Sequence, residues 1–126
     1  MNAPPVRHIP ALFLGTALTF GGALPLFNAA YALSEFGFPS RIANSPQAQA
    51  VFIVSGARTS AIGLAIYILY GRGMLRAVDV VLAAVGTTGL IDGWVCWREG
   101  VAGRGVFRAT SAAVVAVWGW MGMTAA

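Results

Sequence analysis

The chain has 126 residues, of which 58% are apolar and only 10% charged, and its mean hydropathy is +0.75. That length gives one domain, and the charge falls far short of the roughly 25% that a water-facing surface takes in soluble domains. The composition therefore excludes a water-soluble globule and points to lipid as the surrounding solvent. The formal charge of +4 comes from eight arginines set against four acids, with no lysine. The arginines stand singly between apolar runs. That spacing argues against a nucleic-acid surface and for helix-end anchors among lipid headgroups. A single cysteine, Cys96, and a single histidine, His8, offer neither an internal disulfide nor a metal-ligand set.

In chain order, residues 1–8 form a short proline-containing tail. Residues 9–33 carry no charge, and about 20 helical residues suffice to cross a hydrocarbon core of ~30 Å, so this run predicts the first span. Arg7 in front and Ala30-Tyr31-Ala32 behind also match a signal peptide. The apolar stretch exceeds the ~7–15 residue core of such a peptide, however, and retention as a helix is the expectation. Residues 34–47 hold Glu35, Pro39, Arg41, Asn44, Ser45 and Pro46 and read as a loop. A second span is predicted over 48–70, a tight turn at Gly71-Arg72-Gly73, a third span over 75–97, a loop over 98–105 and a fourth span over 106–123. The expected fold class is all-α: a four-transmembrane-helix bundle, up-down-up-down, forming one integral membrane domain over 1–126. Arg7, Arg72 and Arg76 on one face balance Arg41, Arg98 and Arg104 on the other, so the positive-inside rule leaves the orientation open. The face carrying the first and third loops is called the first-loop side below.

Small residues recur at helical spacing: Gly56, Ser60 and Gly63 in the second span, and Gly86, Gly89 and Gly93 in the third. No hydrophobic effect drives helices together within lipid, so close approach through small residues takes that role. These faces predict a compact bundle and also suit association in a homo- or hetero-oligomer.

Arg58 needs an explanation, because it lies well inside the second span. An arginine near the bilayer centre costs about 2.5–3.5 kcal/mol on insertion scales and is expected to face the bundle and find a partner. Folding the second and third spans about the Arg72-Gly73 turn puts Asp92 roughly 4–8 Å from the level of Arg58 along the helix axes. The two side chains lean toward each other on antiparallel helices. An Arg58–Asp92 ion pair is the expectation. Asn28, Tyr31 and Glu35 fall at a similar depth or at the adjoining surface, Ser55, Thr59 and Thr88 supply hydroxyls, and Trp94 walls the space. Together they predict a polar pocket open to the first-loop side, with Asp92 and Arg58 as reacting groups and the others as substrate contacts; the competing reading is a buried pair that only fixes helix register. Arg76 and Asp79 read as an i,i+3 pair at the start of the third helix, Arg108 as an interface anchor or else an addition to the pocket's charge, and Trp118 and Trp120 as an aromatic belt.

The segment from Gly56-Ala57-Arg58-Thr59-Ser60-Ala61-Ile62-Gly63-Leu64 through Gly71-Arg72-Gly73 to Asp92 resembles an uncharacterised family of small four-helix membrane proteins common in fungi, a domain-of-unknown-function family. The resemblance covers about residues 52–99. It implies the helix count, the importance of Arg58 and Asp92, a tilt toward lipophilic metabolites of natural-product pathways and, for a fungal source, an endomembrane location. The small multidrug transporters are similar in length and helix number, but they carry a glutamate in the middle of their first helix. Here the first span has no acid, since Glu35 lies beyond it.

Three functions compete at this level. The first is a membrane enzyme without cofactor that performs acid–base cyclisation, isomerisation or epoxide opening on a lipophilic small molecule, with Asp92 as acid or base. The sequence offers no nucleotide loop, dinucleotide fingerprint or zinc constellation to widen that chemistry. The second is a non-catalytic accessory or assembly subunit that binds partner helices through its small-residue faces. The third is a proton-coupled transporter with Asp92 as the proton carrier.

Overall fold

A computed structural model describes residues 5–99 and 102–126. The first four residues of the expected tail, and residues 100 and 101 within the expected third loop, lie outside the described residues. A 3-10 turn over Val6–His8 leads into α1 (Ile9–Phe36), a short α2 (Ser40–Ala43), α3 (Pro46–Gly71), α4 (Leu75–Arg98) and α5 (Ala102–Trp120). The first loop is thus partly helical, and Gly103-Arg104-Gly105, which composition marks as loop, forms the first turn of α5. Ser45 caps α3 by accepting the Ala48 N–H at 3.4 Å, and Pro46 occupies the first helical position, where its missing N–H leaves no gap in the hydrogen bonding.

Among the described residues three helices are long and apolar enough to cross a membrane: Val6–Phe36, Pro46–Gly71 and Leu75–Arg98. The fourth long helix, α5, carries Arg104 and Arg108 in its first two turns. Large apolar side chains stand outward along all four long helices. Phe27 is 84% exposed, Phe13 71%, Val51 70%, Val80 68% and Phe107 70%. Water would not tolerate so much contiguous apolar surface. The protein is an integral membrane protein whose outer face meets acyl chains.

The long helices associate as two tight pairs, α1 with α3 and α4 with α5, and the pairs touch each other far less. Small residues make each pair possible. A Cβ on Gly22 would sit 2.5 Å from the Gly56 oxygen, and one on Gly93 would sit 2.7 Å from the Gly105 oxygen. Ser60 Oγ also donates to the Thr19 carbonyl at 2.8 Å, a polar bond across the first pair. The pairs meet through a buried cluster of Ala11, Ile66, Val78 and Leu82, with Tyr70 and Trp118 packed against it. At the first-loop side they meet around Phe36.

Helix α1 is not continuous. Pro25 lies within it, and Asn28 leaves the helical region at φ −155° and ψ 90°. Asn28 Oδ1 accepts the Tyr31 N–H at 3.0 Å, so this side chain caps the segment that restarts after the break. Sequence alone marks Asn28 only as a polar group in an apolar run.

Candidate functional site

The chemistry-bearing side chains gather where α1 ends against α4 and α5. Gly37 terminates α1 with φ 122°, a backbone conformation that other residues adopt only with strain. There is no space for a side chain either, since a Cβ would lie 2.8 Å from Arg104 Cβ and 3.1 Å from Cys96 Sγ. The preceding carbonyl, that of Phe36, accepts the Arg108 Nε–H at 2.6 Å and the Cys96 thiol at 3.5 Å. A cation at a helix C-terminus meets the negative end of the helix dipole. The Arg108 guanidinium also lies 3.7 Å over the Phe36 ring, which stacks on Phe38 and meets Phe52 edge-on.

Asp92 stands one turn before Cys96 on α4 and is half-buried. Asp92, Cys96 and Arg108 lie within electrostatic range of one another. Among the described residues the Asp92 carboxylate makes no direct ion pair. Among the described residues Arg108 spends only its Nε–H on a protein acceptor, which leaves its terminal N–H groups without one. The carboxylate and the guanidinium thus influence each other electrostatically without forming an ion pair among the described residues.

The expected Arg58–Asp92 pair does not form. Arg58 is exposed on α3 and lines a shallow groove with Leu26, Ile53, Val54, Ala57 and Ala61, all from the α1–α3 pair. The cation beside Asp92 is Arg108, whose role exceeds that of an interface anchor. Nor does Asp79 pair with Arg76. Asp79 is 4% exposed and accepts the backbone N–H groups of Thr124 and Ala125, at 3.0 Å each.

The remaining expected site residues are scattered. Tyr31 is 52% and Trp94 54% exposed, so neither walls an enclosed space, and Trp94 carries the Arg98 guanidinium 4.7 Å above its ring. Thr59 and Thr88 turn their hydroxyls back onto their own helix, to the carbonyls of Ser55 and Val85. Ser55 is exposed. Glu35 pairs with Arg104 at 3.7 Å, while Arg104 also donates to the Glu35 carbonyl at 2.9 Å. Trp118 faces partly inward and donates to the Arg7 carbonyl at 2.9 Å, whereas Trp120 is 79% exposed, as a belt residue would be. Among the described residues no group of histidines, cysteines and acids is arranged to hold a metal ion.

A rim of charge closes the first-loop side. Glu99 contacts Arg41 closely and Arg98 at 3.5 Å, which ties the end of α4 to the loop after α1. The Arg41 hydrogen bond, reinforced by the charges of Arg41 and Arg98, holds the Glu99 carboxyl below the ordinary glutamate range. A depressed carboxylate stabilises the folded tie above the unfolded pKa and loses that contribution as pH falls through the lower, folded value. Amide exchange of residues 37–45, corrected for the intrinsic pH dependence, is therefore expected to stay constant near neutrality and to accelerate only below the ordinary glutamate range. Glu99→Gln is expected to show the faster exchange already at pH 7. Identical pH profiles for the two proteins would remove the tie from this account.

An all-helical integral membrane protein with a half-buried carboxylate beside an arginine is the class that fold and site define. The chain belongs to the family described as a domain of unknown function, DUF4267, whose model matches residues 15–122. No curated protein and no solved structure matches the chain.

Proposed function

We propose that the chain crosses the bilayer four times, up-down-up-down, as one integral domain, and that Asp92 transfers protons to and from a lipophilic small molecule drawn from the surrounding acyl chains. The interlocking of α5 with α4 supports the fourth crossing. Gly86, Gly89 and Gly93 back onto Ala116, Ala112 and Ala109, so α5 stays against a spanning helix over most of its length. The observation that carries the functional reading is the Asp92 carboxylate itself, half-buried, without an ion pair among the described residues and under the electrostatic influence of Arg108. Intramembrane ionisable groups mark sites more often than they mark simple packing.

In this reading Asp92 acts as general acid or base, and Arg108 offers its terminal N–H groups to an oxygen of the same molecule. Proton-driven isomerisation and cyclisation fit, since a proton given at one atom is recovered from another and no redox partner is needed. Opening of an epoxide by an internal hydroxyl follows the same balance: the acid protonates the epoxide oxygen while the attacking hydroxyl returns a proton. Arg58 takes no part. Of the expected substrate contacts, Thr88 stays in this proposal, one turn before Asp92 on α4.

The test compares cells that express wild type, Asp92→Asn or no protein at equal levels, by untargeted mass spectrometry of lipid extracts. The expected result is a wild-type-dependent product of the same mass as its precursor, reduced at least about 100-fold in Asp92→Asn, the scale of lost general acid–base catalysis. Extracts that match across all three strains would refute the proposal. An unchanged set of compounds, redistributed between cells and medium, would assign the same carboxylate to transport instead.

A further inference from the structure

Arg58 occupies the thirteenth position of the 26 residues of α3, its midpoint. With a hydrocarbon core about 30 Å thick, its Cα sits close to the bilayer centre, about 15 Å from either headgroup layer. Long basic side chains reach the interface only from positions near helix ends. From the middle of α3 the guanidinium stays in hydrocarbon unless something polar comes to it.

Among the described residues no carboxylate pairs with Arg58. Of the chain's four carboxylates, Asp79 is engaged by the Thr124 and Ala125 amides, Glu35 faces Arg104, Glu99 faces Arg41 and Arg98, and Asp92 lies beside Arg108. The groove around Arg58 is shallow and open, lined by Ala57 and Ala61, one turn apart and both exposed, and by the apolar side chains of Leu26, Ile53 and Val54. Small residues at this spacing let a second backbone approach closely.

We propose that this groove docks a transmembrane helix of another membrane protein, one that carries an aspartate or glutamate at mid-bilayer, and that Arg58 pairs with that carboxylate. The inference is independent of the Asp92 reading. Docking buries the guanidinium against an opposite charge, and Ala57 and Ala61 decide how near the helix comes. A second copy of the chain carries Asp92 without an ion pair, but at the eighteenth of the 24 residues of α4, about 8 Å along the axis from that helix's midpoint, so it does not come level with Arg58.

The test uses the full chain in phosphatidylcholine vesicles and measures energy transfer from the labelled chain to oligo-leucine transmembrane peptides with a central Glu or a central Leu. The Glu peptide is expected to associate at least about tenfold more tightly than the Leu peptide. Arg58→Leu is expected to abolish that preference, Arg58→Lys to keep most of it, and Ala61→Leu, which fills the groove but retains the charge, to weaken it. Thermal unfolding of the purified Arg58→Leu chain is expected at the same temperature as wild type or above it, because no partner within the chain is lost. Equal binding of the two peptides, a preference that survives Arg58→Leu, Arg58-dependent self-association in place of peptide binding, or a lower unfolding temperature for Arg58→Leu would each overturn the proposal.

Discussion

Gly22→Ala is expected to force α1 and α3 apart and to destabilise the protein. The added Cβ would stand 2.5 Å from the Gly56 oxygen, 2.6 Å from the Ser60 nitrogen and 2.7 Å from Ser60 Oγ. Two of those atoms are backbone and cannot rotate aside, so the helices themselves must move. Separation stretches the Ser60 Oγ bond to the Thr19 carbonyl, now 2.8 Å, and loosens packing along the whole contact. Overpacking of a tight interior costs about 1–3 kcal/mol, and rigid neighbours put this site at the upper end of that range. No hydrophobic effect compensates inside lipid, because acyl chains solvate the separated faces as well as protein does. Gly21→Ala provides the internal control, since nothing lies within 4 Å of the position its Cβ would take. Unfolding of both variants in mixed detergent micelles is the measurement. Gly22→Ala should fall by about 2–3 kcal/mol while Gly21→Ala stays within about 0.5 kcal/mol of wild type. Equal stabilities would mean that the glycine contact does not hold the pair together.

The helical, membrane-embedded character is legible in composition and hydropathy because lipid demands internally satisfied backbone groups, and apolar runs of about 20 residues or more meet that demand as helices rather than as short alternating barrel strands. The small-residue faces are legible too: Gly56, Ser60 and Gly63, and Gly86, Gly89 and Gly93, do form contact surfaces. What each face packs against is not legible from the connections. A short turn between α3 and α4 suggests that they pack side by side, yet the closest approaches join α1 to α3 and α4 to α5. Backbone proximity in lipid follows matched small residues, and Gly15, Thr19 and Gly22 on α1 match the glycine face of α3. In sequence those residues look like interruptions of an apolar run.

Once that pairing is known, the polar geometry follows from helical angles. Arg58 is two residues from Gly56, about 200° around a helix of 3.6 residues per turn, so it must point away from α1. Asp92 and Arg108 each precede a contact residue, Gly93 and Ala109, by one position, about 100°. They therefore fall on the flanks of the α4–α5 contact, half-buried. The signal for Arg108 lay in the register of Gly105, Ala109, Ala112 and Ala116, a small-residue face with an arginine at its edge. The break at Asn28 is accompanied by a side chain able to cap the restarting helix, a capacity present in sequence but outweighed there by the length of the apolar run.

Asp79→Ala is the second large effect, and it separates two roles for the same carboxylate. A helix-start pair with Arg76 would be exposed, screened and worth little. The observed arrangement is different: Asp79 is 4% exposed, with Oδ1 on the Thr124 N–H and Oδ2 on the Ala125 N–H. Gly122, at φ 65°, turns the chain after α5 so that these amides face the carboxylate, and Gly119 seats α5 directly against the backbone of Asp79 and Ala83. Hydrogen bonds to a charged group contribute about 1.5–3 kcal/mol each, and their loss leaves buried donors without acceptors. Asp79→Ala is expected to cost about 3–5 kcal/mol and to free residues 121–126 for digestion by carboxypeptidase. Asp79→Asn keeps one acceptor but turns an NH2 toward the other amide, which predicts an intermediate loss. Arg76→Ala, which breaks no ion pair among the described residues, should stay within about 0.5 kcal/mol of wild type. If Asp79→Ala and Arg76→Ala behave alike, and the terminus stays protected in both, then the carboxylate does not anchor the end of the chain and α5 must be held by its alanine–glycine face alone.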